Sequence, residues 1–208
     1  EEILCSIDPF AYLSHLSAMA YHGFTNRSPK ILFYSTPSPK EWRKFAQEKM
    51  QTDYGEDFPE FIKSSLPKLS NLTFDKIQGH AVHKHSSLHQ GAYVIAKGRT
   101  LRVSSIGRTF LEMVRRPDFC GGINHVIEVF MDSSSVYLQL ILDEIDRHGL
   151  AIEKVRAGYI LEEKCGLTGN PVIDKWAKYA QRGGSRKLDP QAPYNPEYSE
   201  RWCISINA

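Results

Sequence analysis

The stretch Gly79-His80-Ala81-Val82-His83-Lys84-His85-Ser86-Ser87-Leu88-His89 gathers imidazoles as no other part of the chain does. Side chains on a strand alternate between faces, so His83 and His85 share one and offer two nitrogens to zinc or nickel. A competent site needs a third or fourth ligand. No nearby cysteine or carboxylate has ligand spacing, and His80 falls on the opposite face. The His80–His89 stretch reads first as a polar surface strand or loop; a metal-dependent nuclease or hydrolase is the alternative it raises. Glu162-Glu163-Lys164 has the lettering of a carboxylate–metal nuclease, but it lies late on a predicted helix and reads as a charged helix end. There is no G-x-S-x-G elbow and no cysteine in a catalytic context. The residues assign no catalytic group, metal or cofactor.

Anion binding has more support. Gly121-Gly122 precedes a predicted helix whose first amides are free to hold an anion. Arg182-Gly183-Gly184-Ser185-Arg186-Lys187 forms another anion-friendly loop, and with Lys175 and Lys178 it makes a basic run. A solvated helix face is the bland meaning of that run and a phosphate-binding patch the sharper one. Ser105-Ile106-Gly107-Arg108-Thr109 opens an amphipathic helix, with Ser104 or Ser105 as its cap. Arg108 there opposes the helix dipole and needs a partner, either Glu112 four residues on or an external anion. Arg156 and Tyr159 lie on one helix face, where Gly158 admits another backbone. That cluster is a binding surface or, preferably, a helix–helix contact.

The elements that would position these residues follow from periodicity. Asp8-Pro9 predicts a helix start, with Phe10, Leu13, Leu16 and Ala20 as its apolar stripe and Gly23 as its stop. A strand over Ile31 to Tyr34 and helices over Glu41 to Met50 and Asp57 to Ser64 come next. Segments near Ile77 to His83, Ala92 to Ala96 and Leu101 to Val103 predict two or three antiparallel strands. From Ser105 the helical period returns, in stripes beginning at Ile106, Ile123, Leu138, Ile152 and Ile173. Trp202 to Ile206 closes the chain as a strand. Segregated helices and strands predict an α+β fold, with a small, mostly antiparallel sheet packed on a helical C-terminal half. Residues 1–208 read as a single domain, with an α/β part over 1–104 and a helical part over 105–208.

Composition narrows the function classes. The chain has 208 residues, is 41% apolar and carries a formal net charge of +2. Residues 1–104 hold 13 Lys and Arg against 10 Asp and Glu, and residues 105–208 hold 13 against 14, so no basic block announces nucleic-acid binding by itself. No apolar stretch is long enough to span a membrane, and no secretory signal is visible. The dispersed Cys5, Cys120, Cys165 and Cys203 lack C-x-x-C spacing and predict thiols in a reducing cytoplasm.

An ordered set of short motifs spans the chain. It comprises Ser17-Ala18-Met19-Ala20-Tyr21-His22-Gly23-Phe24-Thr25-Asn26-Arg27-Ser28-Pro29, Arg108-Thr109-Phe110-Leu111-Glu112 and Pro117-Asp118-Phe119-Cys120-Gly121-Gly122. After these come Arg156 to Glu162, Leu188-Asp189-Pro190 and Trp202 to Asn207. Together they resemble the AbiEi family of antitoxins and transcriptional regulators from bacterial toxin–antitoxin systems. That resemblance implies an operon regulator that neutralises a cognate nucleotidyltransferase-like toxin, in several systems without a stable complex. It implies operator DNA as a further partner, read mainly by an N-terminal winged helix; this chain begins where that module would end. Gly107 and Glu112 depart from the family's Glu-Arg-Thr followed by an aspartate, so any internal charge pairing is expected to be rearranged. Surfaces around Arg108, Arg156, Tyr159, Lys175, Lys178, Arg182, Arg186 and Lys187 are the expected contacts with DNA or a protein partner.

Overall fold

The computed structural model describes every residue except 70, 72–73, 88–90 and 183–185. His89 of the histidine stretch and Gly183, Gly184 and Ser185 of the basic loop lie outside the described residues. The chain runs α1 (Glu2–Ile7), β1 (Tyr12–Leu13), α2 (His15–Tyr21), β2 (Ile31–Pro37), α3 (Pro39–Tyr54) and α4 (Phe58–Lys63). Four strands follow: β3 (Lys76–Ile77), β4 (His80–Ser87), β5 (Tyr93–Ile95) and β6 (Arg102–Ser104). The remainder is α5 (Ile106–Arg115), α6 (Ile123–His148), α7 (Ala151–Tyr159), α8 (Pro171–Trp176), β7 (Tyr198–Ser199) and β8 (Ile204–Ser205). The fold is α+β, and none of the described helices is long and apolar enough to cross a membrane.

Contacts divide the chain into two compact units, Glu1–Leu13 with Lys30–Val103, and Ser14–Pro29 with Ser104–Ala208. The first holds a sheet of order β3-β4-β2-β1-β6-β5. This sheet is mixed. Its longest pairing, Ile31↔Ala81 through Pro37↔Ser87, is parallel, because α3 and α4 form the crossover that such a pairing requires. β1 is antiparallel to β2 and parallel to β6. β5 and β6 are sheet neighbours joined across a turn at Lys97-Gly98. β3 and β4 form a tight hairpin that turns on Gln78 (φ 49) and Gly79 (φ 80), inside the segment Ile77 to His83 expected as one strand. Two consecutive positive φ values give the twist a two-residue hairpin needs.

Asp8-Pro9 corrects the predicted first helix. Asp8 ends α1 in an extended conformation, as a residue before proline prefers. Its buried carboxylate accepts from Phe10 N and Trp42 Nε1 through Oδ1, and from Thr36 Oγ1 through Oδ2. The side chain is a tie for the first unit rather than a helix cap, and the helix begins later, at His15.

The second unit packs α2, α5, α6, α7 and α8 around a core that includes Phe110, Phe130, Tyr159, Trp176 and Trp202. Phe110 meets Phe130 edge-on at 4.8 Å and Phe24 at 5.2 Å. The stripes beginning at Ile123 and Leu138 are one 26-residue helix, interrupted in its dihedrals only at Tyr137. Gly107 lets α5 approach α6 closely: a β-carbon there would lie 2.3 Å from the Leu140 carbonyl oxygen. No larger side chain fits there without a shift of the backbone it meets.

Candidate nucleic-acid interface

Arg108 is not on the surface. Ser105 caps α5 by accepting from Arg108 N, and Thr109 Oγ1 meets Ser104 Oγ at 2.8 Å. The Arg108 side chain turns inward, with Nε 3.5 Å from Glu112 and Nη1 3.6 Å from Glu144. Glu112 also accepts from His15 N. Burial pushes the Glu112 carboxyl above the ordinary value, and the Arg108 charge and the His15 amide work against that rise. This is an internal charge cluster, so Arg108 leaves the set of expected contacts. Tyr159, 1% exposed, leaves it too.

Arg156 starts a different construction. Two residues on, Gly158 leaves room for the indole of Trp202, whose Nε1 donates to Glu162 at 2.8 Å. Arg156 Nε donates to Lys187 O and Nη1 to Val114 O. Asn207 accepts from Asp189 N and donates to the Asp189 and Pro193 carbonyls. The motif segments 156–162, 188–190 and 202–207 thus interlock. The earlier segments do likewise, through Phe24 on Phe110 and Arg27 Nη1 to Gly121 O. Every segment of the ordered set falls in the second unit.

The interlocked segments leave an open cavity of about 500 Å³, lined by Arg156, Arg186, Lys187, Leu150, Ala151, Ile152 and Pro190. Its cations are held by carbonyl oxygens: Arg186 by Tyr179 O, Lys187 by Ala192 O and Arg156 by the two already named. A carbonyl fixes a cation without cancelling its charge. Among the described residues, no carboxylate forms an ion pair with Arg156, Arg182, Arg186 or Lys187. Glu153 and Asp189 act on Arg156 only through space, while burial holds its guanidinium below the usual value. The α7 amides do not add a separate anion site, because Glu153 already accepts from Leu150 N and pairs with Arg115.

Lys175 and Lys178 belong elsewhere. Lys175 pairs with Asp146 at 2.9 Å, and Trp176 Nε1 donates to the same carboxylate. Those hydrogen bonds, from Trp176 first and then Lys175, hold the Asp146 carboxyl below its ordinary value. Lys178 is exposed, with its ammonium 5.0 Å from the Tyr179 ring centroid. The basic run is therefore two things: a neutralised helix face at Lys175, and a charged strip at Arg182, Arg186 and Lys187.

Another arrangement escapes any sequence reading, because its members lie 100 residues apart. Thr25 Oγ1 is 3.0 Å from His125 Nε2, and His125 Nδ1 is 3.4 Å from Glu128. They line an open cleft of about 400 Å³ with Arg27 and Asp132. With the proton on Nδ1, the imidazole can take the Thr25 hydroxyl proton, the geometry of an activated nucleophile. On β4, His83 and His85 share a face as expected and are half-buried, with His83 5.5 Å from the Phe33 ring. Among the described residues, no group of three His, Cys, Asp or Glu could hold a metal ion.

These features define an α+β protein whose second unit carries a strip of cations, Arg182, Arg186 and Lys187, with no carboxylate partner among the described residues. Comparison with family models, curated proteins and solved structures finds no match to the chain.

Proposed function

We propose that the chain is a cytoplasmic antitoxin and autoregulator of a toxin–antitoxin operon, similar to the AbiEi family, which opposes a nucleotidyltransferase-like toxin and contributes phosphate contacts to DNA binding. One observation carries this reading. All the segments that resemble the family interlock in the second unit, and beside them lies a strip where, among the described residues, Arg182, Arg186 and Lys187 meet no carboxylate. Such a face attracts polyanions with salt-dependent affinity but cannot alone read bases, which requires an element in a groove. The test is co-expression with the product of the adjacent open reading frame, which this reading expects to be a nucleotidyltransferase-like toxin, together with duplex-DNA titration across salt. Rescue of growth and a log–log salt slope of about −3, from three phosphates neutralised at about −0.9 each, are expected. Failure to rescue growth removes the antitoxin role.

A second reading rests on the Thr25–His125–Glu128 chain. It makes the protein a transferase or hydrolase with Thr25 as nucleophile and His125 as general base. The metal-nuclease reading has less support, since His83 and His85 have no third ligand among the described residues.

A further inference from the structure

Next to the phosphate-facing cavity lies a smaller one of about 200 Å³ that shares Arg186 with it. Arg182, Arg186, Tyr194, Tyr198, Cys203 and Ser205 are among its lining residues. Tyr194 is 56% exposed and Tyr198 51% exposed, although both stand in a unit with a well-filled core. Among the described residues, neither ring stacks on another ring or cation, and neither hydroxyl has a hydrogen-bond partner. Folding does not explain two such rings. Their surroundings are nevertheless built. β7 pairs Tyr198 with Ser205 on β8, and Ser205 Oγ closes the floor by donating to Asn195 O and accepting from Asn195 N. The Arg186 guanidinium is fixed by Tyr179 O and Gln181 Oε1.

Half-exposed aromatic faces beside a fixed guanidinium group are what an unpaired nucleobase and its phosphate require: the ring stacks, the cation meets the phosphate. Duplex DNA keeps its bases stacked on one another and offers no such face. We propose that this cavity captures an unpaired base of single-stranded nucleic acid, stacked on Tyr194 or Tyr198 with its phosphate at Arg182 and Arg186. The proposal rests on the reading of the neighbouring face as phosphate-binding and adds the strandedness of the ligand.

Fluorescence anisotropy of the whole chain with labelled oligouridine, oligothymidine and a duplex DNA of equal length tests it. Oligouridine and oligothymidine are expected to bind more tightly than duplex, and the order between them reports whether the sugar is read. Tyr194→Ala and Tyr198→Ala together are expected to weaken single-strand binding about 5- to 150-fold. Duplex affinity and the salt slope should stay unchanged, and Tyr→Phe at both positions should retain binding. Saturating oligouridine is also expected to slow alkylation of Cys203, read by peptide mass spectrometry. Equal weakening of duplex and single strand in the alanine variant, or unprotected Cys203, overturns the base pocket. Wild type that binds duplex but neither single strand overturns this proposal alone. Wild type that binds no nucleic acid overturns it together with the phosphate-facing reading.

Discussion

Trp202 fills the space above Gly158: a β-carbon at residue 158 would lie 2.1 Å from Cη2 of the indole. The indole is fully buried and its Nε1 is committed to Glu162, so it has no low-cost way to retreat. Gly158→Ala is expected to destabilise the protein by about 1–3 kcal/mol through overpacking. Thermal denaturation measures this, and adding Trp202→Phe should recover part of the loss. Additive losses in the double variant would show that the two residues do not share that space.

Arg108 stands between Glu112 and Glu144 with almost no exposure. Arg108→Ala strands two carboxylates near the core, and a loss of about 3–5 kcal/mol in denaturant unfolding is expected. Unchanged stability with lost toxin neutralisation would return Arg108 to a direct contact role.

Glu112 gives that cluster a pH signature. Its folded carboxyl lies above the ordinary 4.5, chiefly through burial. The favourable contribution of its protonated form is therefore present at low pH and lost as pH rises through the folded value. Glu112→Gln mimics the protonated form. Its melting temperature relative to wild type should rise as the pH is raised above the ordinary carboxyl value of 4.5. A pH-independent difference would contradict the raised carboxyl.

Charge reversal at Arg186 and Lys187 should weaken duplex-DNA binding and reduce the magnitude of the salt slope by about 1–2. Reversal at Lys175 should leave the slope alone, since Asp146 already neutralises that ammonium. Equal effects at both places would dissolve the distinction between strip and helix face.

Thr25→Val removes the hydroxyl from the His125 relay and the acceptor for Arg27 N. A stability loss of about 1 kcal/mol and intact neutralisation in cells are expected. Abolished neutralisation in a folded variant would favour the nucleophile reading.

Local signals carried much of this fold. Ser105 caps α5 and Asn170-Pro171 opens α8, because a side-chain oxygen beside free amides acts within a few residues. The same chemistry misleads at Asp8, where the oxygen is taken by Trp42 and Thr36, 34 and 28 residues away. The parallel partner of β2 was not legible either, since register across a crossover depends on where α3 and α4 deliver the chain. Of the candidate contacts, residue type identified the cations, but only the fold shows which are cancelled. Lys175 is answered by Asp146, whereas Arg186 and Lys187 are held by carbonyls.

The chain leaves the first unit after Leu13, contributes 14–29 to the second, and returns at Lys30 until Val103. Leu13 pairs with Val103, and Phe24 packs on Phe110. As the polypeptide emerges during synthesis, the first unit has all its residues once Val103 arrives, whereas segment 14–29 must wait for residues beyond 103. A cut after Val103 would leave 1–103 with the whole first unit and the second unit's 14–29, and 104–208 without that piece of its own interior. The second unit can therefore close only after the whole first unit has been made, and separating the two for study would require reconnecting the chain in a new order.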